Sequence, residues 1–200
     1  MITNHIHHAL AQVRELQRHV LERQRFRGYS GEARAASGTI ALGAAMVLGS
    51  GRVGTSDTAQ LIGWSIVFLS ALIINYGAVM YWFLNAPEVK RDIRKLRPTI
   101  DVFPPLVVGA VISLALVSRG EYHYLFGIWM CLYGLANLAS RHVLPRSIAL
   151  VGLFYIATGT VCLFFTAISF TNPWPMGIAF FIGEWASGLI LHFDQRRKIP

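Results

Sequence analysis

Long apolar runs alternate with short polar breaks along the chain, and this pattern predicts helices that cross a membrane. A bilayer-crossing helix needs about 17–25 mostly apolar residues. Six runs reach or approach that length, and they are residues 33–50, 59–84, 101–117, 122–139, 147–170 and 176–193. Because the runs are continuously apolar, they do not have the alternating pattern of membrane barrel strands. The predicted fold is therefore all-α, a membrane-embedded six-helix bundle over residues 33–193.

A different pattern precedes the first run. Ile6, Val13 and Val20 repeat every seven residues, with arginine, glutamate and glutamine on the opposite face, so residues 1–32 are predicted to hold a cytoplasmic amphipathic helix and a turn. Such a helix can lie in the membrane interface or pair with a second copy as a coiled coil. We favour the interface, because three heptads are marginal for a coiled coil.

The composition supports hydrocarbon as the surrounding medium. Apolar residues make up 54% of the chain and charged residues 14%, whereas an ordinary soluble domain has about 25% charged residues. This balance excludes a disordered chain, which needs low hydrophobicity and high charge. Cys131 and Cys162 lie inside apolar runs and are expected to be packing residues.

The basic residues predict the topology. All but two of the 18 lysines and arginines fall in alternate breaks, and only Arg52 and Arg119 fall in the others. The positive-inside rule then gives cytoplasmic termini, a basic cytoplasmic tail at residues 194–200 and a bacterial cytoplasmic (inner) membrane location. Residues expected to contact anionic lipid headgroups or a partner are Arg14, Arg18, Arg23, Arg25, Lys90, Arg91, Arg94 and Lys95. The net charge of +8 comes with no nucleic-acid recognition motif, so no such partner is expected.

Glu184 is the one carboxylate near the middle of a predicted span. A charge there costs roughly 2.5–3.5 kcal/mol unless it is neutralised or paired, so the side chain should face protein. Asn75 and Thr158 occur at comparable depth and are its predicted partners. The group could be a protonated carboxyl hydrogen-bonded between helices or a site for protons or a cationic substrate. The first interpretation is favoured because the sequence suggests no facing charge.

Small residues predict where helices approach closely. Every fourth position of the first run is small (Ala33, Ser37, Ala41, Ala45 and Gly49), and glycines recur at seven in the fourth run (Gly127, Gly134) and the fifth (Gly152, Gly159). Two further glycines, Gly177 and Gly188, share the helical face of Glu184. These positions predict packing seams within the bundle or between copies.

Two stretches carry a resemblance to a known group. RKLRPTIDVFPPLVVGAVISLAL (94–116) and WMCLYGLANLASRHVLPRSIALVGLFYIATG (129–159) resemble an uncharacterised family of bacterial six-span integral membrane proteins. The resemblance implies the same fold and topology and brings no activity, cofactor or metal. No enzyme motif occurs in the chain, and the histidines near its start lack nearby carboxylate or cysteine partners for a metal.

These observations predict a non-enzymatic membrane protein with an accessory, regulatory or sensory role, acting through lipids, a membrane protein partner or a second copy of itself. The alternative is a small-solute or proton-linked transporter that uses Glu184.

Overall fold

The computed structural model describes residues 12, 26, 28–86, 96–100, 102–165 and 169–196. Within these ranges the chain forms six helices of 15 to 29 residues and no strand. They are α1 (Gly31–Gly49), α2 (Asp57–Asn85), α3 (Phe103–Ser118), α4 (Leu125–Ala139), α5 (Ile148–Phe164) and α6 (Trp174–Arg196). One helical turn, Arg97–Ile100, precedes α3, and 3-10 turns flank α4 at Tyr122–Tyr124 and Ser140–His142. The prediction of an all-α fold is confirmed.

Local sequence signals set the helix starts. Ser30 and Ser56 cap α1 and α2, because their hydroxyls accept from the amides of Ala33 at 3.3 Å and Ala59 at 3.2 Å. Prolines lie in the first turn of α3, where a helix has no use for their missing amide hydrogen. All six helices begin within three residues of the first residue of the corresponding predicted run.

The helices pack as two antiparallel pairs with one flanking helix each. The most extensive packing joins α1 to α6 and α4 to α5. Helix α2 lies on α1, α3 lies on α4, and the two groups meet where α5 contacts α6. Helices α1 and α6, which lie far apart in the sequence, are thus neighbours in the bundle.

The bundle has two ends. At the entry end, where α1 begins, Gly31 lies against Gly188 of α6 and the Phe26 ring lies against Trp82 of α2. At the far end, Gly49 lies against Trp174. The exposed arginines Arg141, Arg146 and Arg196 lie at or beside helix termini of the entry end, and Arg52 and Arg119 lie beside those of the far end.

Glycines bring the paired helices into backbone contact, as the spacing predicts. A Cβ atom added to Gly134 would lie 2.6 Å from the carbonyl oxygen of Gly152, and one added to Gly127 would lie 2.8 Å from that of Gly159. The small stripe of α1 faces α6 in the same way, and Gly177 packs directly on the Ala45 side chain. The predicted seams are therefore contacts within one chain.

Two of the six helices, α2 and α6, are long and apolar enough to cross a membrane by length and composition. Helices α3 and α5 are apolar but shorter. The fifth apolar run was predicted to reach residue 170, yet α5 ends at Phe164. Part of the apolar signal beyond that point comes from Phe170, a loop residue buried against Phe126 and Trp129.

Candidate functional site

Glu184 forms an ion pair with Arg34 in the interior of the bundle. The Arg34 Nε atom donates to Glu184 Oε2 and Nη2 donates to Oε1, both at 2.9 Å. Arg34 is 6% exposed and Glu184 is 2% exposed. Two parallel hydrogen bonds between a guanidinium and a carboxylate are the strongest common form of ion pair in proteins. The pair joins α1 to α6 across 150 residues of sequence.

Three polar side chains from α4 and α5 complete the cluster. The hydroxyls of Tyr133 and Tyr155 donate to Glu184 Oε1 at 2.9 and 3.1 Å. Arg34 Nη2 also lies 3.1 Å from the Tyr133 hydroxyl and 3.0 Å from the Asn137 Oδ1 atom. We call these five residues (Arg34, Tyr133, Asn137, Tyr155 and Glu184) the polar cluster. It connects four of the six helices.

Glycines make room for the polar cluster. Gly38 lies one turn after Arg34, and a Cβ atom there would lie 2.8 Å from the Cβ of Glu184. Gly183, the residue before Glu184, lies directly against the Tyr155 ring. The missing side chains therefore let α1 and Tyr155 approach the carboxylate from two sides.

Apolar residues enclose the polar cluster on both sides. Toward the far end lies a large aromatic and aliphatic cluster that includes Phe126, Met130 and Met176. Toward the entry end lies a smaller one built from Leu144, Ile148 and Leu191. Hydrogen bonds and ion pairs are stronger where water is excluded, so this placement strengthens the bonds within the polar cluster.

The structure differs from the sequence-based prediction in the partners of Glu184. A facing charge is present, since Arg34, which the charge pattern grouped with the cytoplasmic arginines, is a bundle residue. Asn75 instead donates to Ser37 Oγ at 2.8 Å, which joins α2 to α1. Thr158 donates to the Phe154 carbonyl oxygen of its own helix at 2.9 Å. Neither hydrogen-bonds Glu184 in the described part of the chain.

Tyr133, Asn137 and Tyr155 were not predicted as site residues. Arg34 could have been found, because it lies one turn before Gly38 on the small-residue helix that was predicted to pack closely. The sequence does not indicate which tyrosines belong to a buried site, because tyrosine is common both in apolar cores and at membrane interfaces.

The remaining predicted contact residues lie outside the described ranges. These are Arg14, Arg18, Arg23, Arg25, Lys90, Arg91, Arg94 and Lys95. Of the segment 1–32, predicted to hold an amphipathic helix and a turn, the structure describes residues 12, 26 and 28–32, and α1 already begins at Gly31. Cys131 and Cys162 are free thiols inside α4 and α5. Across the described residues no group of three or more histidine, cysteine, aspartate or glutamate side chains could hold a metal ion.

The chemistry of the polar cluster follows from its hydrogen bonds. Glu184 Oε1 accepts three hydrogens and Oε2 accepts one, and the positive charge of Arg34 balances the carboxylate. A cation at Glu184 would compete with the positive charge of Arg34 for the same carboxylate. The arrangement is that of an interhelical connection whose members are already paired.

No family model, curated protein or solved structure matches the chain. The resemblance to a bacterial six-span family therefore stays a prediction.

Proposed function

We propose that the chain is a non-enzymatic integral protein of the bacterial cytoplasmic membrane, with six spans and both termini in the cytoplasm, and with an accessory, regulatory or sensory role. The observation that carries the membrane part is the apolar outer surface. Ile66 of α2 is 60% exposed, Leu114 of α3 is 73% exposed and Leu150 of α5 is 68% exposed. Soluble monomers rarely expose continuous apolar surface on this scale.

The placement of charge supports the same proposal. The four helices α2 to α5 contain a single charged residue, Asp57, which is the first residue of α2. Among the described residues, the two charged side chains buried inside the bundle are Arg34 and Glu184, and they neutralise each other. A charge at membrane depth is stable only when it is paired in this way.

The shorter helices are compatible with a bilayer. Helix α3 rises about 24 Å and α5 about 26 Å at 1.5 Å per residue, against a hydrocarbon core of about 30 Å. The 3-10 turn before α4 adds about 6 Å to its rise of about 22 Å. Mismatches of a few ångströms are accommodated by local thinning of the bilayer at modest cost.

The accessory role is supported by the polar cluster, because the carboxylate of Glu184 is already paired with Arg34 and hydrogen-bonded to it and to two tyrosines. A carrier for protons or small cations needs a carboxylate that can release its partner, whereas Glu184 is held by four hydrogen bonds and enclosed by apolar side chains. The entry end exposes several arginines, so we expect this surface to contact lipid headgroups or a membrane protein.

Topology is tested by fusing a reporter to each terminus in a bacterial host and treating the membranes with alkaline carbonate. The expected result is that both reporters lie in the cytoplasm and that the protein stays in the membrane pellet. Reporters on opposite faces, or a chain that is monodisperse in buffer without detergent, would contradict the proposal.

The accessory role is tested separately by flux. Native protein, Glu184→Gln and the control Thr158→Val are reconstituted in liposomes, and uptake of protons, sodium and methylammonium is measured against empty liposomes. We expect no flux from any variant and lower thermal stability for Glu184→Gln. Flux in the native protein and in the control that is lost in Glu184→Gln would establish the carrier instead.

A further inference from the structure

The residues just before α1 fold back into the entry end of the bundle. Phe26 is 8% exposed although it precedes α1, and its amide donates to the Val143 carbonyl oxygen at 2.9 Å. Its ring packs edge-on against Tyr29 and Trp82, with centroids 5.0 and 5.3 Å apart. The chain is therefore anchored at this point to both α2 and the loop between α4 and α5.

Tyr29 extends the same contact toward α5 and α6. Its ring packs on the entry-end cluster of Leu144, Ile148 and Leu191, and its carbonyl oxygen accepts from Gln195 Nε2 at 3.4 Å. Gly28 has no space for a side chain, since a Cβ atom there would lie 2.5 Å from the Phe26 ring and 2.8 Å from the Trp82 ring. Phe26, Gly28 and Tyr29 thus contact α2, the loop between α4 and α5, and the entry-end parts of α5 and α6.

The polar cluster lies deeper in the bundle than this contact, beyond the entry-end cluster of Leu144, Ile148 and Leu191. Arg34 follows Tyr29 by five residues, and Leu191 lies about two helical turns from Glu184 along α6. Ser187 lies between them on α6, is fully buried and has a hydroxyl without a hydrogen-bond partner. A buried hydroxyl of this kind is a site that an entering water molecule would satisfy.

We propose that Phe26, Gly28 and Tyr29 form a removable plug that closes the entry end over the Arg34–Glu184 pair. With the plug seated, apolar side chains separate the pair from the entry end. With the plug withdrawn, water reaches Ser187 and then the polar cluster from that end alone, while the far end stays sealed by its larger cluster. Phe26, Gly28 and Tyr29 belong to the segment 1–32, for which the sequence predicts a cytoplasmic amphipathic helix and a turn, so attachment of that segment to a surface and closure of the bundle would be linked. This inference goes beyond the proposed function and holds with or without a bilayer.

Thiol labelling tests the plug. In a background with Cys131→Ala and Cys162→Ala, a single reporter is introduced as Ser187→Cys near the plug or as Gln60→Cys near the far end. Both positions are 0% exposed, so a charged maleimide should label each slowly in detergent solution. Phe26→Ala removes the plug ring, and Gly28→Ala displaces it while keeping every aromatic residue. Phe165→Ala, at a side chain that is 62% exposed, is the matched control.

The expected result is that both plug variants speed labelling at position 187 by tenfold or more and leave labelling at position 60 unchanged. The control should change neither rate. Unchanged labelling at position 187 in both plug variants would overturn the proposal. Equal acceleration at the two reporter positions in Gly28→Ala would overturn it as well, because general loosening opens both ends.

Discussion

The ion pair makes a quantitative prediction about paired substitutions. In Glu184→Gln, the remaining oxygen can still accept from both tyrosines and from Arg34 Nη2, but the new amide group then points its hydrogens at the Arg34 Nε hydrogen. Arg34 keeps its charge at 6% exposure without a counter-charge. Removing one member of a buried ion pair costs about 3–5 kcal/mol. We therefore expect the free energy of unfolding to fall by that amount.

The reverse substitution, Arg34→Met, leaves the carboxylate without its cation and should cost a similar amount for the same reason. The double variant Arg34→Met with Glu184→Gln contains no unpaired charge, and the glutamine still accepts from Tyr133 and Tyr155. Its loss should be about 3 kcal/mol smaller than the sum of the two single losses, because the penalty of a lone buried charge is counted in each single variant.

Unfolding in mixed micelles of rising denaturing detergent content measures the cycle. A thiol-reactive fluorophore can report the transition, since Cys131 and Cys162 lie inside α4 and α5. Thr158→Val is the control, because its hydroxyl contacts only its own helix. Single losses that add to the double loss within about 0.5 kcal/mol, the limit for independent sites, would refute the coupling.

Three further substitutions test the packing that supports the polar cluster. Gly134→Ala should destabilise the protein by about 1–3 kcal/mol through overpacking against Gly152. The control Gly43→Ala, with no atom within 4 Å of the added Cβ, should be neutral or stabilising by up to about 1 kcal/mol. Equal unfolding midpoints for the two variants would contradict close packing of α4 on α5. Gly183→Ala should push the Tyr155 ring away from Glu184 and lower the free energy of unfolding by at least the roughly 1 kcal/mol of one hydrogen bond. Tyr155→Phe in the Gly183→Ala background should then cost nothing more. An additional loss would show that the Tyr155–Glu184 hydrogen bond had survived. Phe170→Ala should cost about 3–5 kcal/mol because it empties a core site, against a change within about 0.5 kcal/mol for the exposed Phe165→Ala, both read from unfolding midpoints.

Sequence reasoning located the six helices because each is a continuous apolar run bounded by serine caps, prolines or charges. It also located the seams, because small residues at spacings of four and seven align on one helix face. The α5 boundary was wrong for a definite reason: Phe170 is as apolar as a span residue but belongs to a loop that covers the core. Hydropathy reports only that a residue avoids water, so it does not separate a residue of an apolar helix from one of a buried loop.

The polar cluster was only half predictable. A lone carboxylate in an apolar run must face protein, which identified Glu184 correctly as an interior residue. The identity of its partner depends on α1 and α6 being neighbours, and the charge pattern instead grouped Arg34 with arginines of the preceding segment. Asn75 and Thr158 have suitable chemistry and depth, but they lie on faces that meet Ser37 and their own backbone.

The pairing of α1 with α6 has a consequence for synthesis. Arg34 leaves the ribosome 150 residues ahead of Glu184, which at 5–20 residues per second is an interval of about 8–30 s. During that time a membrane-inserting chain would carry a guanidinium with no counter-ion. If the chain inserts into a membrane as proposed, α1 would wait near the headgroups or in the insertion machinery and would reach its final position only when α6 arrives.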